Sequence, residues 1–451
     1  MFEKRYFQKL IIACSFIFLL VLGLTLSPLM AAIPGFDHTK MSDMSDFNPS
    51  NPVRITSGDT IKLGLVEAFS GPAAMNGEIY WLTLNWVAHD INKRGGIKVD
   101  GKVKKIQIIK GDTQSKPAIT KKAVEKLCLE DKVDFLWGTS GSHLCAIIAN
   151  VAKKYKKIYM NPLSVANRLM DGKNFNRYTF RSCLTTEMFG KAMAYYYSKR
   201  PEKKFYILCQ DYAYGHEIAE GFKRALKEYK PDAVIVGEYY HPLFLKDFAP
   251  YITKMQAAGA EVVLTGDWNP DAGNLLKQSR DLGVNLPFAN IYLDAPNVYE
   301  AVGGPAGAGN VNANDHMFTV DTEANQRLNT VWHTSWKRWE KPFNTAMYQW
   351  PIGVAGRSIV MSYWLFDVIE RAGTTDPEGI IKTWEGDEYE AITGPVKMRA
   401  CDHQVIRDVF VSEFVFPNKW YKNAATYGDV FVVPAKYCEH PLPQDLDRCK
   451  Q

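Results

Sequence analysis

Hydrophobic and polar positions follow one repeating rhythm from Ile61 onward. Short apolar runs at 61–66, 103–109, 133–137 and 158–160 are separated by longer segments with apolar residues at helical spacing. The spacing predicts helices over 77–92, 116–128 and from the turn at 138–142 to about 155. In the first of these, Ile79, Leu82, Trp86 and Ile91 share a face, and Gly95-Gly96 ends the pattern. The rhythm restarts after Cys183. Helices are expected over 188–198, 214–229, 248–257 and 271–282, with strands at 204–209, 233–237, 261–265 and 288–292. Short apolar strands joined by amphipathic helices predict parallel sheets covered on both faces. Two tandem sets of similar size predict two lobes. Beyond them come a glycine-rich loop at 303–309, a strand at 317–320 and helices over 324–340 and 352–372. The second of these helices is apolar enough to be buried. Strand-like runs follow at 405–416 and 429–433.

The stretch 133–165 organises this pattern. It reads as strand, small polar turn, helix and strand, with the turn Gly138-Thr139-Ser140-Gly141-Ser142 where a strand ends and a helix begins. The first amides of a helix have no partner inside it, so this turn suits an anionic group.

The N-terminus departs from the rhythm. Lys4, Arg5 and Lys9 precede an apolar run at 10–26, and Ala31-Ala32 follow it. That order describes an export signal, residues 1–32, cleaved near Ala32. The competing reading is an uncleaved anchor, since the run approaches a membrane-spanning length. The pattern as a whole favours cleavage. Cys14 lies at the start of the apolar run, where lipid attachment is not expected. Residues 33–59 are polar and irregular, with Pro34, Pro49 and Pro52, and read as a linker.

Export permits disulfides. Seven cysteines follow the signal, an odd number that leaves at least one free thiol. Cys438 and Cys449 flank the proline-rich tail at 438–451 and are the expected pair, because an extended polar tail has little else to hold it. No Cys/His cluster has zinc spacing, so no metal is expected. A net charge of +5 over 451 residues gives no reason to expect a nucleic-acid partner. No cofactor motif is met either: the loop 303–309 has Asn312 where a dinucleotide fingerprint needs its third glycine.

Catalytic patterns are missing as well. After Gly138-Thr139-Ser140-Gly141 comes Ser142, which breaks the nucleophile-elbow motif, and neither a Walker motif nor a zincin motif occurs. His143 reads as a surface or core histidine. Asp211, Asp267 and Asp294 lie near strand ends, where a carboxylate could be catalytic, contact a ligand or cap a helix, capping being the commonest use of an aspartate before a helix. Nothing in these patterns assembles into a strong catalytic set, so no enzymatic activity is expected.

Several further features carry a resemblance. Ile61-Lys62-Leu63-Gly64 is followed by Ser70-Gly71-Pro72 and Gly77. A long helix ends in Asn92-Lys93-Arg94-Gly95-Gly96-Ile97, and Asp112 closes the second strand. Then come Trp137-Gly138 with its serine-rich turn, Asn161-Pro162-Leu163-Ser164, Asp211-Tyr212-Ala213-Tyr214-Gly215 and Asp402-His403-Gln404. In this order and spacing, over about 61–416, the chain resembles the substrate-binding proteins of ABC importers, in the leucine/isoleucine/valine-binding branch. The resemblance implies the type I periplasmic binding protein fold: two doubly wound, Rossmann-like α/β lobes joined by a three-strand hinge. The first lobe would hold 60–182 and 318–395, the second 183–317 and 396–437. It also implies a periplasmic monomer that closes over a small polar ligand (an amino acid, amide or organic acid) and delivers it to permease subunits in the inner membrane. A sensory domain of the same fold is the runner-up, although no signalling segment follows residue 437. A secreted hydrolase ranks third.

Family contacts carried over by position fall on Asn76, Ser140, Gly141, Ser142, Leu163 and Val165 in the first lobe. In the second they fall on Tyr214, Trp268 and Asp294. Ser142 and neighbouring amides would hold a carboxylate or other polar oxygen, Tyr214 and Trp268 would stack or pack on the ligand body, and Asp294 would balance an ammonium. Val165 stands where amino-acid binders of this family usually carry a threonine. Its side chain cannot bond an α-amino group, which puts an amino-acid ligand in question.

Overall fold

The computed structural model describes residues 41–450 except 53, 56, 57 and 269. The expected signal segment lies outside the described residues. The first lobe starts with β1 (Thr60–Glu67), α1 (Ala74–Lys93), β2 (Ile97–Val99), β3 (Lys102–Asp112) and α2 (Pro117–Leu129). It continues with β4 (Phe135–Trp137), α3 (Ser142–Tyr155), β5 (Ile158–Asn161) and β6 (Thr179–Arg181). The second lobe follows with α4 (Thr186–Tyr197), β7 (Lys204–Gln210), α5 (Ala213–Tyr229), β8 (Val234–His241) and α6 (Ala249–Ala257). Then come β9 (Val262–Leu264), α7 (Asp271–Asp281), β10 (Phe288–Asn290), α8 (Pro296–Val302) and β11 (Val311–Asn314). The chain returns to the first lobe as α9 (Glu323–Trp336), α10 (Gly353–Ala372), α11 (Pro377–Trp384), β12 (Glu388–Ala391), β13 (Gly394–Met398) and β14 (Val405–Ile406). It ends in the second lobe with β15 (Val409–Val415), β16 (Thr426–Val433) and α12 (Ala435–Cys438).

Two sheets form the lobe centres, in orders β2-β3-β1-β4-β5-β6 and β16-β15-β11-β10-β9-β7-β8. The β1, β3, β4, β5 and β6 strands are parallel, as are β7 to β11; β2, β15 and β16 join antiparallel. The central strands β4, β5 and β9 are buried on both faces, as their continuous apolar runs require. In each sheet the chain steps one way from the first strand of the lobe, then returns to its other side. The switch points are β1/β4 and β7/β9. Loops at the carboxyl ends of strands beside a switch point diverge and leave a crevice. In the first lobe these ends are Glu67 and Trp137, and in the second Gln210 and Leu264.

Three crossings join the lobes, after β6, after β11 and between β14 and β15. The expected strand at 317–320 is not one: the strand entering the second crossing is Val311–Asn314. Its alternating Asn312 and Asn314 hid it, yet both side chains are buried and bonded, to Leu293 N–H and Tyr427 and to Arg357. The boundary expected at 395/396 falls inside β13. The small sheet β12-β13-β14 leans on β6 through an Arg181–Gln404 bridge, so the first lobe runs on to about residue 406.

Two further expectations change. Residues 41–52 are not a free linker. Met41, Met44 and Phe47 are buried, and Phe47 meets Trp86 and Trp339 edge-on at 5.3 and 6.0 Å. Three apolar side chains three positions apart give this polar stretch enough to bury. The disulfide is Cys401–Cys449, not Cys438–Cys449. Cys438 is held in the core beside the Val433 and Pro434 carbonyls, and burial pushes its thiol up to about 12. The tail crosses Arg399, which donates to the His440 carbonyl at 2.6 Å, and its Asp445 accepts from Gly172 N–H at 3.0 Å. Arg448 then anchors on Glu385 and the Ala400 carbonyl, bringing Cys449 to Cys401. Non-reducing peptide mapping is expected to recover the Cys401–Cys449 link, with Cys438 alkylated only after unfolding. Cys449→Ser should lower stability by about 2–4 kcal/mol in denaturant titration. A Cys438–Cys449 peptide would contradict this topology.

Candidate functional site

The two switch points face each other. Between them lies a narrow slot, walled from the first lobe by Asn76, Ile79, Ser140 to Ser142 and Leu163 to Val165. The second lobe supplies Tyr212, Tyr214, Trp268, Tyr292 and Ala295, and the start of α10 adds Ile352 and Val354. Eight of the nine expected contacts therefore share one cavity; Asp294 is the exception.

The turn after β4 is built on glycine. Gly138 has φ +132°, and a Cβ there would lie 1.9 Å from the Val66 carbonyl oxygen. Gly141 has φ +84° and its carbonyl accepts from Leu144 and Cys145 N–H at 2.9 and 3.2 Å, which starts α3. Beneath the turn sits Glu67, the last residue of β1, almost fully buried. Its carboxyl accepts from Ser140 N–H at 2.7 Å, Ser140 Oγ at 3.0 Å, Thr139 Oγ1 at 3.2 Å and Ala68 N–H at 2.9 Å. Burial outweighs these bonds and pushes its pKa up to about 7. Ser140 thus reaches the cavity wall with both donors already engaged. Ser142 is different: among the described residues its hydroxyl has no partner, and it opens α3, whose first amides are unpaired within the helix.

The neighbouring wall hangs on Asn161. Its Oδ1 accepts from Ser164 N–H at 2.8 Å, its Nδ2 donates to the Ser164 carbonyl at 2.9 Å, and Ser164 Oγ donates to the Thr139 carbonyl at 2.6 Å. Leu163 and Val165 then present apolar side chains to the slot. Opposite, Tyr214 donates its hydroxyl to the Gly266 carbonyl at 2.7 Å, and Trp268 donates Nε1 to the Tyr212 hydroxyl at 2.9 Å. These bonds orient three aromatic faces and leave the Tyr212 proton available.

Asp294 lies beside this wall but is engaged elsewhere. Its Oδ2 accepts from Gly353 N–H at 2.6 Å, capping α10 of the other lobe, and burial pushes its carboxyl up to about 6. Asp294, expected to balance a ligand ammonium, caps α10 through Oδ2 in this structure and is not among the residues lining the slot. Asp267 is likewise taken, accepting from His241 Nε2 at 2.8 Å. Among the described residues, no ionisable acid or base other than the tyrosines lines the slot. Across the cleft, Tyr292 donates to the Leu163 carbonyl at 3.5 Å, His143 meets Tyr212 edge-on at 6.4 Å, and Glu217 of α5 accepts from Asn167 N–H and Arg168. The two lobes are in contact around the slot.

Sequence reasoning missed Ile79, Ser164, Tyr212, Tyr292, Ala295, Ile352 and Val354. Tyr212 and Tyr292 follow the ends of β7 and β10, a position that could have flagged them. Ile352 and Val354 arrive from a helix far along the chain, and nothing local marks them.

A family model described as periplasmic binding protein matches residues 60–419. The chain belongs to the periplasmic binding protein family. The family is non-enzymatic. The chain is 25% identical over 384 residues to Leu/Ile/Val-binding protein homolog 4 of Brucella melitensis, covering 82% of this chain and 88% of that one. Among solved structures, the closed leucine-, isoleucine-, valine-, threonine- and alanine-binding protein from Brucella ovis superposes with a TM-score of 0.73 at 21% identity, covering 86% of this chain and 98% of that one. An R. palustris ABC transporter solute-binding protein in complex with 4-hydroxybenzoate superposes at 0.69 with 19% identity, covering 83% and 97%.

The two serines of the turn should separate in stability. Ser140→Ala removes a hydroxyl donor from a buried carboxyl and is expected to cost about 1–2 kcal/mol in urea unfolding. Ser142→Ala should stay within about 0.5 kcal/mol of wild type. Equal losses would contradict the division of roles between them.

Proposed function

We propose that this periplasmic binding protein captures a small aromatic carboxylate in the slot and presents it, in the closed form, to an ABC-type permease in the inner membrane. The carrying observation is the pairing of an unengaged helix start at Ser142 with an aromatic and aliphatic wall that offers no carboxylate. Ser142 and the first amides of α3 hold the ligand carboxylate. Tyr214 and Trp268 pack on its body, with Leu163 and Val165 opposite. Asn76 and the Tyr212 hydroxyl are free to bond a ring substituent. Gly141 lets the helix start approach closely. An α-amino acid would bring an ammonium into a slot where Asp294 caps α10 and Val165 offers no oxygen. Burying that charge without a partner is costly. Solved relatives of this fold bind either class, 4-hydroxybenzoate in the R. palustris complex and amino acids in the Brucella ovis protein, so the chemistry of the slot carries the choice. The N-terminal pattern of residues 1–32 supports export to the periplasm.

A thermal-shift screen tests the ligand class. Benzoate or 4-hydroxybenzoate should raise Tm, while leucine, isoleucine and valine should not. In calorimetry, Ser142→Ala should weaken benzoate binding about tenfold, the worth of one charge-assisted hydrogen bond. A Tm rise with the amino acids alone would overturn the aromatic reading.

A further inference from the structure

Glu67 is the one buried acid in direct contact with the turn that forms the anion-binding end of the slot. All four groups donating to it belong to that turn or to the residue after β1. Ser140 links the two regions: its N–H and hydroxyl point to Glu67, and the residue also lines the cavity two positions before Ser142. A ligand carboxylate held at Ser142 would therefore sit on the same short turn whose Ser140 bonds the buried carboxyl of Glu67.

The other groups facing Glu67 do not relieve this crowding. From α1 comes the phenol of Tyr80, and from β5 the phenol of Tyr159, both buried and neutral. From β3, its register partner Asp112 is engaged by Phe69 N–H and Ser70 Oγ at 2.9 and 2.8 Å. From the turn itself come only hydroxyls and amides. Among the described residues no lysine, arginine or histidine bonds to Glu67.

Two carboxylates in one desolvated site cannot both stay ionised at low cost, so one takes a proton. A benzoic acid has an ordinary carboxyl and sits at donors that favour its charge. Glu67 sits where burial already favours its neutral form. We propose that Glu67 makes anion capture proton-coupled: the ligand carboxylate enters as the anion, and Glu67 takes up a proton from solvent as the complex forms. This rests on the carboxylate reading above and extends it to how affinity is regulated. The balance is simple: the Glu67 carboxylate and one proton give the neutral acid, and no bond in the ligand changes. The sign follows from the shift. Below about pH 7 free Glu67 is already mostly protonated and affinity is flat. Above it, each unit of pH makes the proton up to tenfold harder to supply. A protein in the periplasm, which is open to external pH, would then hold such anions more tightly in acid. An amine-bearing ligand at the same place would reverse the sign, since it favours ionised Glu67.

The test is calorimetric titration of benzoate into the wild-type protein from pH 6 to 9, repeated at pH 8 in two buffers of different ionisation heat. The expected result is a Kd that rises up to tenfold per unit above pH 7, with uptake approaching one proton per benzoate. Glu67→Gln should bind with a Kd that does not change over this range and with no proton uptake. A flat wild-type Kd with no buffer-dependent heat overturns the coupling and leaves the ligand reading standing, as does a Glu67→Gln protein with the wild-type slope. If the variant does not fold, the wild-type proton count alone decides. Absence of binding by benzoate and 4-hydroxybenzoate at every pH overturns both proposals together.

Discussion

The guanidinium of Arg357 holds the two lobes in register. It is fully buried near the start of α10, donates Nε to Asp315 Oδ1 at 2.6 Å and Nη2 to Asn314 Oδ1 at 2.7 Å, and reaches the Pro162 carbonyl at 3.4 Å. One side chain thus ties a first-lobe helix to the end of β11, to the second crossing and to the loop that carries Leu163 and Val165. Arg407, on the third crossing, donates to the carbonyl of the same Asp315. A buried ion pair recovers little net stability after desolvation, so its value here is geometric. Losing one partner would leave a charge in the core and release the hinge and the cavity wall together.

From that constraint the site follows. Each sheet has one switch point, and the crossings turn the two towards each other. The same face that closes the cleft removes Asp294 from it, because the helix start at Gly353 needs a cap and the nearest acceptor comes from the other lobe. What remains in the slot is aromatic and aliphatic surface, a few hydroxyls and amides, and one unengaged helix start. The proposed ligand, with one negative end and a neutral body, matches that lining.

Much of this was legible in the sequence because it depends on local pattern. The βα rhythm places the strands to within a few residues, and the turn at 138–142 announces itself by its glycines. Eight cavity residues could be named because strand ends and family positions coincide. What stayed hidden depends on contacts distant in the chain. Strand order is not written in any one strand, so the switch points could not be located. β11 was missed because its asparagines are satisfied only by other segments. Cys401 becomes the partner of Cys449 because Arg399, Gly172 and Arg448 guide the tail. Asp294 was named from its family position, and its bond to Gly353 N–H could not be read because that helix begins 59 residues later.

The central claim is that the slot takes a carboxylate at α3 and a ring against the second-lobe aromatics. A crystal structure of the complex with 4-hydroxybenzoate tests it most directly. The expected density places the carboxylate within hydrogen-bond distance of Ser142 Oγ and the first amides of α3, with the ring against Trp268 and Tyr214. A carboxylate directed at the hinge near Arg357, or a ring bound outside the slot, would contradict it.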